Sequence, residues 1–191
     1  MAEDAEPLTR ACELVGRFLY HFSRVEQQLD LAITKLFKLD PEYAPIVTAN
    51  IDFSRKVNIV QTAVGLQVQK SGKSFSIDVD KTFGAIKGMN DPPRQTVAHS
   101  LFDAGEPDGV QFKRTVARGK LDVKDPFWRQ TEFEKHFSIL RRLQTELQTI
   151  IVELEPERIE WPPSANVAPL VTEGGFFVDA DFVGHAFLTR E

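Results

Sequence analysis

A long apolar stripe near the start of the chain most constrains its fold. Between residues 9 and 38, large apolar side chains recur every three or four positions, which is the spacing of one face of an α-helix. The stripe comprises Val15, Phe18, Phe22, Val25, Leu29, Ile33 and Leu36. A helix of this length is stabilised mainly by burying such a face, so other elements must cover it from end to end.

Three further segments predict helices that can cover this stripe. They span about 54–70, 78–90 and 130–155. The second of the four helices should end at Gly72, because glycine is the usual residue at a helix C-terminus. The last carries a stripe that comprises Phe133, Phe137, Leu140, Leu147, Ile151 and Leu154. Two long and two shorter amphipathic helices predict an all-α fold, an up-and-down four-helix bundle.

A small β-hairpin insertion is predicted at about 109–124. Residues 110–116 alternate apolar and polar side chains, and 121–123 alternate again, which is the pattern of two half-buried strands. The hairpin holds the densest cationic patch of the chain, formed by Lys113, Arg114, Arg118 and Lys120. This patch is either a solvated loop or an arm that contacts RNA phosphates.

The chain divides into a bundle over 1–155 and a C-terminal extension over 156–191. The extension contains four prolines and little periodicity. It also contains the aromatic residues Trp161, Phe176, Phe177, Phe182 and Phe187. Because disordered tails are poor in aromatic residues, we expect the extension to pack on the bundle or on a partner subunit.

Composition and charge limit the class of protein. The formal net charge of −5 weighs against non-specific nucleic-acid binding but allows a local basic pocket. The single cysteine, Cys12, forms no internal disulfide and indicates a reducing, cytoplasmic compartment. The N-terminus is acidic rather than signal-like, and no window approaches 18 apolar residues, so we expect no membrane partner.

The stretch from Arg94 to His99 carries the candidate chemistry. Asp91, Pro92 and Pro93 precede it and predict a helix start, with Asp91 as the N-cap and the helix continuing to about Phe102. Gln95 and His99 are four residues apart and share a face of that helix.

These three residue types suit phosphodiester cleavage. Histidine titrates near neutral pH and can act as base or acid, while arginine presents a fork of N–H donors to phosphate oxygens. Gln95 could hold the ribose or orient His99. The structural alternatives are a histidine packed at a helix interface and an arginine paired with an acidic neighbour. No metal is required, and the four histidines (His21, His99, His136 and His185) are isolated in sequence.

Glu26 is a supporting candidate with two interpretations. It lies at or near the apolar stripe of the first helix, and a buried carboxylate requires a partner. It either orients Arg94 or His99, or forms a salt bridge that fixes the register of the helices.

The chain resembles the HEPN superfamily of four-helix proteins. The family hallmark is an arginine, a polar residue, three variable residues and a histidine. Residues 94–99 match this pattern, and Gln95 stands where the family usually has asparagine. Residues 22–26 resemble its aromatic-x-x-x-Glu segment, and 53–57 its serine-x-lysine opening of the second helix. The resemblance covers about 12–155. One departure is the Asp-Pro-Pro sequence directly before the motif.

The resemblance implies a metal-independent endoribonuclease without a cofactor, cleaving RNA at a composite site of a homodimer. Arg94, Gln95 and His99 would be catalytic, and Glu26 supporting. A role in toxin or phage-defence systems, with an antitoxin protein as partner, is implied in the same way. The alternative is a non-catalytic HEPN-like module that binds a nucleotide or a partner protein. A third interpretation is a dimeric helical bundle with a structural role.

Overall fold

The computed structural model describes residues 5–105, 108–117 and 121–154. The predicted extension over 156–191 and the side chains of Arg118 and Lys120 lie outside these residues. The elements are α1 (Ala5–Leu36), α2 (Ala44–Ala49), α3 (Phe53–Ser71), α4 (Val79–Met89), a π-helical segment (Asn90–Arg94), α5 (Gln95–His99), β1 (Leu101–Gly105), β2 (Gly109–Ala117), β3 (Leu121–Lys124), β4 (Phe127–Arg129) and α6 (Gln130–Glu153).

The long helices lie close to their predicted bounds, and local capping explains where they begin and end. The carboxylate of Asp52 accepts a hydrogen bond from the backbone N–H of Arg55 at 3.0 Å, which caps α3. Asp78 caps α4 in the same way through Lys81. Gly72 ends α3 with a left-handed φ of 65°, as the sequence predicts. The short helix α2 was not predicted.

The prediction of an all-α four-helix bundle is wrong, because a four-stranded antiparallel sheet accompanies the helices. Strand β2 is central and pairs with β1 along one edge and with β3 and β4 along the other. The predicted hairpin corresponds to β2 and β3, and β1 and β4 enlarge it to a sheet.

The sheet contributes to the core instead of projecting from it. Val110 and Phe112 of β2 are fully buried. The ring of Trp128 lies 5.2 Å from that of Phe112 and 6.2 Å from that of Phe18 on α1. Part of the α1 stripe is therefore covered by aromatic side chains of the sheet, where the bundle prediction expected a helix.

Helix α1 is the element on which the others assemble. It packs against α2, α3, α5, α6 and β1. Its stripe is buried over nearly its whole length, from Ala11 to Leu36. None of the described helices combines the length and the apolar character needed to span a bilayer.

The motif helix is shorter than predicted. It ends at His99, because Ser100 is extended with φ −110° and ψ 148°. Leu101 and Phe102 belong to β1, where Phe102 pairs with Phe112 of β2. Pairing with β2, the next strand along the chain, has overridden the local helical pattern.

Close packing of the sheet predicts a large effect at Gly109. A Cβ atom there would overlap the backbone carbonyl oxygen of Trp128 and the ring of Phe127. We expect Gly109→Ala to lower the free energy of unfolding by about 1–3 kcal/mol in urea denaturation. Gly16→Ala is the matched control: this exposed helical position has open space, so the substitution should raise stability by about 0.5–1 kcal/mol. Equal stability of the Gly109→Ala variant and the native chain would contradict the close approach.

Candidate functional site

A break in the backbone at Asp91 positions the motif. Its φ of −137° and ψ of 119° are extended, as is usual for a residue that precedes proline, and the Asp91–Pro92 peptide is cis. Helices α4 and α5 are therefore separate elements. Asp91 has the non-helical backbone of an N-cap residue, and Arg94, with φ −60° and ψ −42°, is already helical. A capping hydrogen bond from the Asp91 side chain stays a prediction.

The Arg94 side chain is directed to α1. Its guanidinium carbon lies 5.4 Å from the centroid of the Phe22 ring, within the range of a cation–π interaction. The Phe22 ring in turn packs 4.6 Å from that of Phe53 at the start of α3. Arg94 is half-buried and is held by an aromatic face. The alternative interpretation from the sequence was an arginine paired with an acidic neighbour.

The Gln95 side chain is connected to the sheet. Its Oε1 atom accepts a hydrogen bond of 2.7 Å from Nη2 of Arg114 on β2. Because Arg114 is two residues beyond buried Phe112, it lies on the inner face of the strand and reaches α5. The bond fixes the amide orientation, since only the oxygen can accept. A second guanidinium therefore lies at the motif.

His99 is exposed at the end of α5. The interpretation as a histidine packed at a helix interface does not apply within one protomer. Within the described part of the chain, no hydrogen bond or ring contact joins Arg94 to His99. The structure places Arg94, Gln95 and His99 on one short stretch, with Arg94 directed to α1, Gln95 to β2 and His99 to solvent.

Glu26 takes part in an ion cluster around the buried ammonium of Lys56. The ammonium of Lys56, only 4% exposed as a residue, lies 3.0 Å from the Glu26 carboxylate and 2.8 Å from that of Asp30. Glu26 and Asp30 are one turn apart on α1, and Lys56 is on α3. This is the salt bridge between helices that the register interpretation of Glu26 predicts. A direct role toward Arg94 or His99 stays a prediction.

The cluster keeps Lys56 charged. Burial alone lowers the pKa of its ammonium, but hydrogen bonds to Asp30 and Glu26, together with their charges, outweigh burial and raise the pKa above its ordinary value of 10.5. The stabilisation is therefore fully present at neutral pH and is lost only as pH rises beyond that value.

An open polar pocket lies beside the motif. It has a volume of about 430 Å³, within the range of small-molecule sites, and Gln95 forms part of its wall. Phe53 and Val57 of α3 supply its apolar surface. Its polar lining comprises Ser54, Asn58, Lys87, Asn90, Asp91 and Gln95.

The sequence interpretation missed Arg114 as a partner of the motif and missed this pocket. The strand alternation contained a signal for Arg114, because residues 110, 112 and 114 share one face. No comparable signal existed for Asn58 and Lys87, which meet only because α3 and α4 pack side by side.

Two other histidines lie in the aromatic core region. His136 on α6 packs against Trp128 at 4.8 Å and Phe18 at 5.9 Å between ring centroids. Burial lowers its pKa; Glu132 opposes this shift, and Lys135 adds to it. The pKa of His21 is lowered by burial and then by the charges of Arg141 and Arg17.

Within the described parts of the chain, no group of three or more His, Cys, Asp or Glu residues could hold a metal ion. The chain matches no protein-family model, and neither curated proteins nor solved structures give a match.

The ion cluster predicts a cost for removing its cation. Lys56→Met keeps much of the apolar stem but leaves Glu26 and Asp30 without their shared ammonium. We expect the free energy of unfolding to fall by about 1–3 kcal/mol, measured by urea denaturation, because both carboxylates stay partly solvated. Adding Glu26→Gln should restore part of this loss, because one of two adjacent carboxylates is then neutral. No recovery in the double variant would show that charge pairing is not the cause.

The core histidines predict a loss of stability in mild acid. The folded pKa of His136 lies below 6.5, so its stabilising contribution is complete above that pH and is lost as pH falls from 6.5 through the folded pKa. His136→Phe should make thermal unfolding temperatures less dependent on pH between about 7 and 5, with Ser138→Ala as the control. His21 should account for part of the remaining dependence. An unchanged pH profile in His136→Phe would contradict this assignment.

Proposed function

We propose that this protein is a HEPN-like, metal-independent endoribonuclease. Arg94, Gln95 and His99 are the catalytic residues, and the reactive centre is composite, formed where the motifs of two protomers face each other. Glu26 supports the site by holding α1 and α3 in register.

The observation that carries the proposal is the exposed imidazole of His99, on a helix that also bears an anchored arginine and an anchored amide. Arg94 is held over Phe22, and Gln95 is held by Arg114. Anchored guanidinium groups on the same short stretch as an accessible imidazole are suited to an anionic phosphodiester, because their charge is ordered before the substrate binds.

The chemistry requires no metal ion. One His99 removes the proton of the ribose 2′-hydroxyl, and the 2′-oxygen attacks the adjacent phosphorus. The bond from phosphorus to the 5′-oxygen breaks, and that oxygen takes a proton from the second His99. The products are a 2′,3′-cyclic phosphate and a 5′-hydroxyl. Guanidinium groups stabilise the charge that develops on the phosphorane oxygens.

A second protomer supplies what one motif lacks. One protomer offers a single exposed histidine at α5, whereas the reaction uses a base and an acid. Leu101, two residues after His99, is 79% exposed, the highest value among the large apolar residues that the structure describes. A homodimer in which the two motifs face each other would bring both histidines together and would cover the Leu101 side chain.

A second candidate function is a non-catalytic module that binds a nucleotide. The observation that favours it is the polar pocket beside Gln95, whose lining and volume suit a small polar ligand. A cytoplasmic role in a toxin or phage-defence system, with an antitoxin protein as partner, derives from the family resemblance and belongs to the first candidate.

The nuclease proposal predicts that His99→Ala abolishes cleavage. The pure full chain should cleave total RNA in the presence of EDTA, and the variant should lose activity by at least about a hundredfold, which is the usual contribution of an acid or base. Because His99 is exposed, the circular dichroism and melting temperature of the variant should equal those of the native chain. Ala98→Ser, at the exposed neighbouring position, is the matched control and should retain activity. Equal cleavage by His99→Ala would refute the assignment.

The composite site predicts that one His99→Ala subunit inactivates a whole dimer. A mixed dimer of a native and a His99→Ala subunit contains one His99, so the reaction lacks either its base or its acid. When native and variant chains are mixed and exchange subunits, cleavage should therefore fall with about the square of the native fraction. A fall in simple proportion to the native fraction would show that each subunit cleaves RNA by itself.

A further inference from the structure

The pocket beside the motif has a lining that suits the edge of a nucleobase. It brings together three carboxamides (Asn58, Asn90 and Gln95), the carboxylate of Asp91 and the ammonium of Lys87. Carboxamides present a donor and an acceptor side by side, which is the pattern that base edges also carry. Phosphate groups, by contrast, would favour a lining of cations without a carboxylate.

Two of these amides are already oriented. Gln95 directs its oxygen to Arg114, so its NH₂ group is the part that can donate elsewhere. Nδ2 of Asn90 lies 3.3 Å from the Ser54 hydroxyl oxygen, a contact in which the amide donates. Lys87 bonds to Oε1 of Gln61 at 2.8 Å, which uses one of its three donors. An oriented lining reduces the conformational entropy lost when a ligand binds.

Asp91 sets the selectivity of the pocket. A carboxylate only accepts hydrogen bonds, and it pairs with an exocyclic amino group such as N4 of cytosine. Adenine, guanine and cytosine carry such a group. Uracil has no exocyclic amino group, and the N3–H donor on its edge is flanked by two carbonyl oxygens that a carboxylate would repel.

The geometry points to a nucleobase-binding subsite in this pocket, selective for bases that carry an exocyclic amino group. This inference rests on the proposed function, since in the nuclease the subsite would hold a base adjoining the phosphate at Arg94 and His99. The substrate class becomes single-stranded RNA whose cleavage depends on the base next to the scissile bond.

Binding of mononucleotides tests the subsite without relying on cleavage. We would titrate the native full-length protein with the 5′-monophosphates of adenosine, guanosine, cytidine and uridine, which contain no phosphodiester bond to cleave, using calorimetry. The amino-bearing nucleotides should bind at least about tenfold more tightly than the uridine nucleotide, the difference expected for one base-edge hydrogen-bond pair. Equal affinity for all four, or no binding at millimolar concentration, would overturn the inference.

Two variants locate the selectivity. Asp91→Asn should remove the discrimination against uridine, because an amide can donate to its carbonyl oxygens, while the control Asp80→Asn on the first turn of α4 should keep it. If Asp91→Asn does not fold, Asn58→Ala on the exposed side of α3 should weaken binding of every nucleotide by about tenfold. Unchanged affinity in Asn58→Ala would place binding outside this pocket.

Failure of this inference and failure of the nuclease proposal give different results. Selective nucleotide binding by a chain that does not cleave RNA supports the subsite and rejects the nuclease. Cleavage by the native chain with no selective binding, and with equal rates before every base, supports the nuclease and rejects the subsite.

Discussion

The fold depends on burial of the apolar stripe of α1. A helix of 32 residues with one continuous apolar face cannot remain uncovered, and no single neighbour is long enough to cover it. Helices α3 and α6, strand β1 and the short α5 each contact part of it. The sheet belongs to this arrangement, because Trp128 lies against Phe18. Two of the candidate site residues depend on α1 directly: Glu26 belongs to it, and Arg94 packs on its Phe22 ring.

A seam between α1 and α3 connects this core to the site. Two layers form the seam: the aromatic pair Phe22 and Phe53, and the ion cluster of Lys56 with Glu26 and Asp30. This charge pairing restricts how far α1 and α3 can slide past each other. A displaced Lys56 would remain buried but would no longer contact the carboxylates of Glu26 and Asp30. Arg94 rests on Phe22, and Phe53 forms part of the pocket wall. A structural cluster therefore positions groups that we assign to chemistry.

The break at Asp91 has two consequences for the site. It separates α4 from α5, so that the motif occupies its own short helix with His99 at the exposed end. It also places Asn90 and Asp91 in the wall of the pocket. The proline pair that interrupts the family resemblance in sequence is thus the feature that shapes the pocket.

Local signals in the sequence determined the long helices and the β2–β3 hairpin of this protein, and tertiary packing decided the rest of the sheet and the surroundings of the site. Apolar periodicity, the carboxylate at Asp78 and the glycine at position 72 act within a few residues, so the long helices and their ends were predictable. Strand β1 was not, since residues 101–102 continue a helical pattern and become extended only by pairing with β2. The motif residues could be selected from sequence by their chemistry. The surroundings of these residues could not be predicted, because packing alone brings the elements that form them together. Examples are the Phe22 ring under Arg94, the Arg114 bond to Gln95 and the Lys56 cluster, each of which joins two different elements.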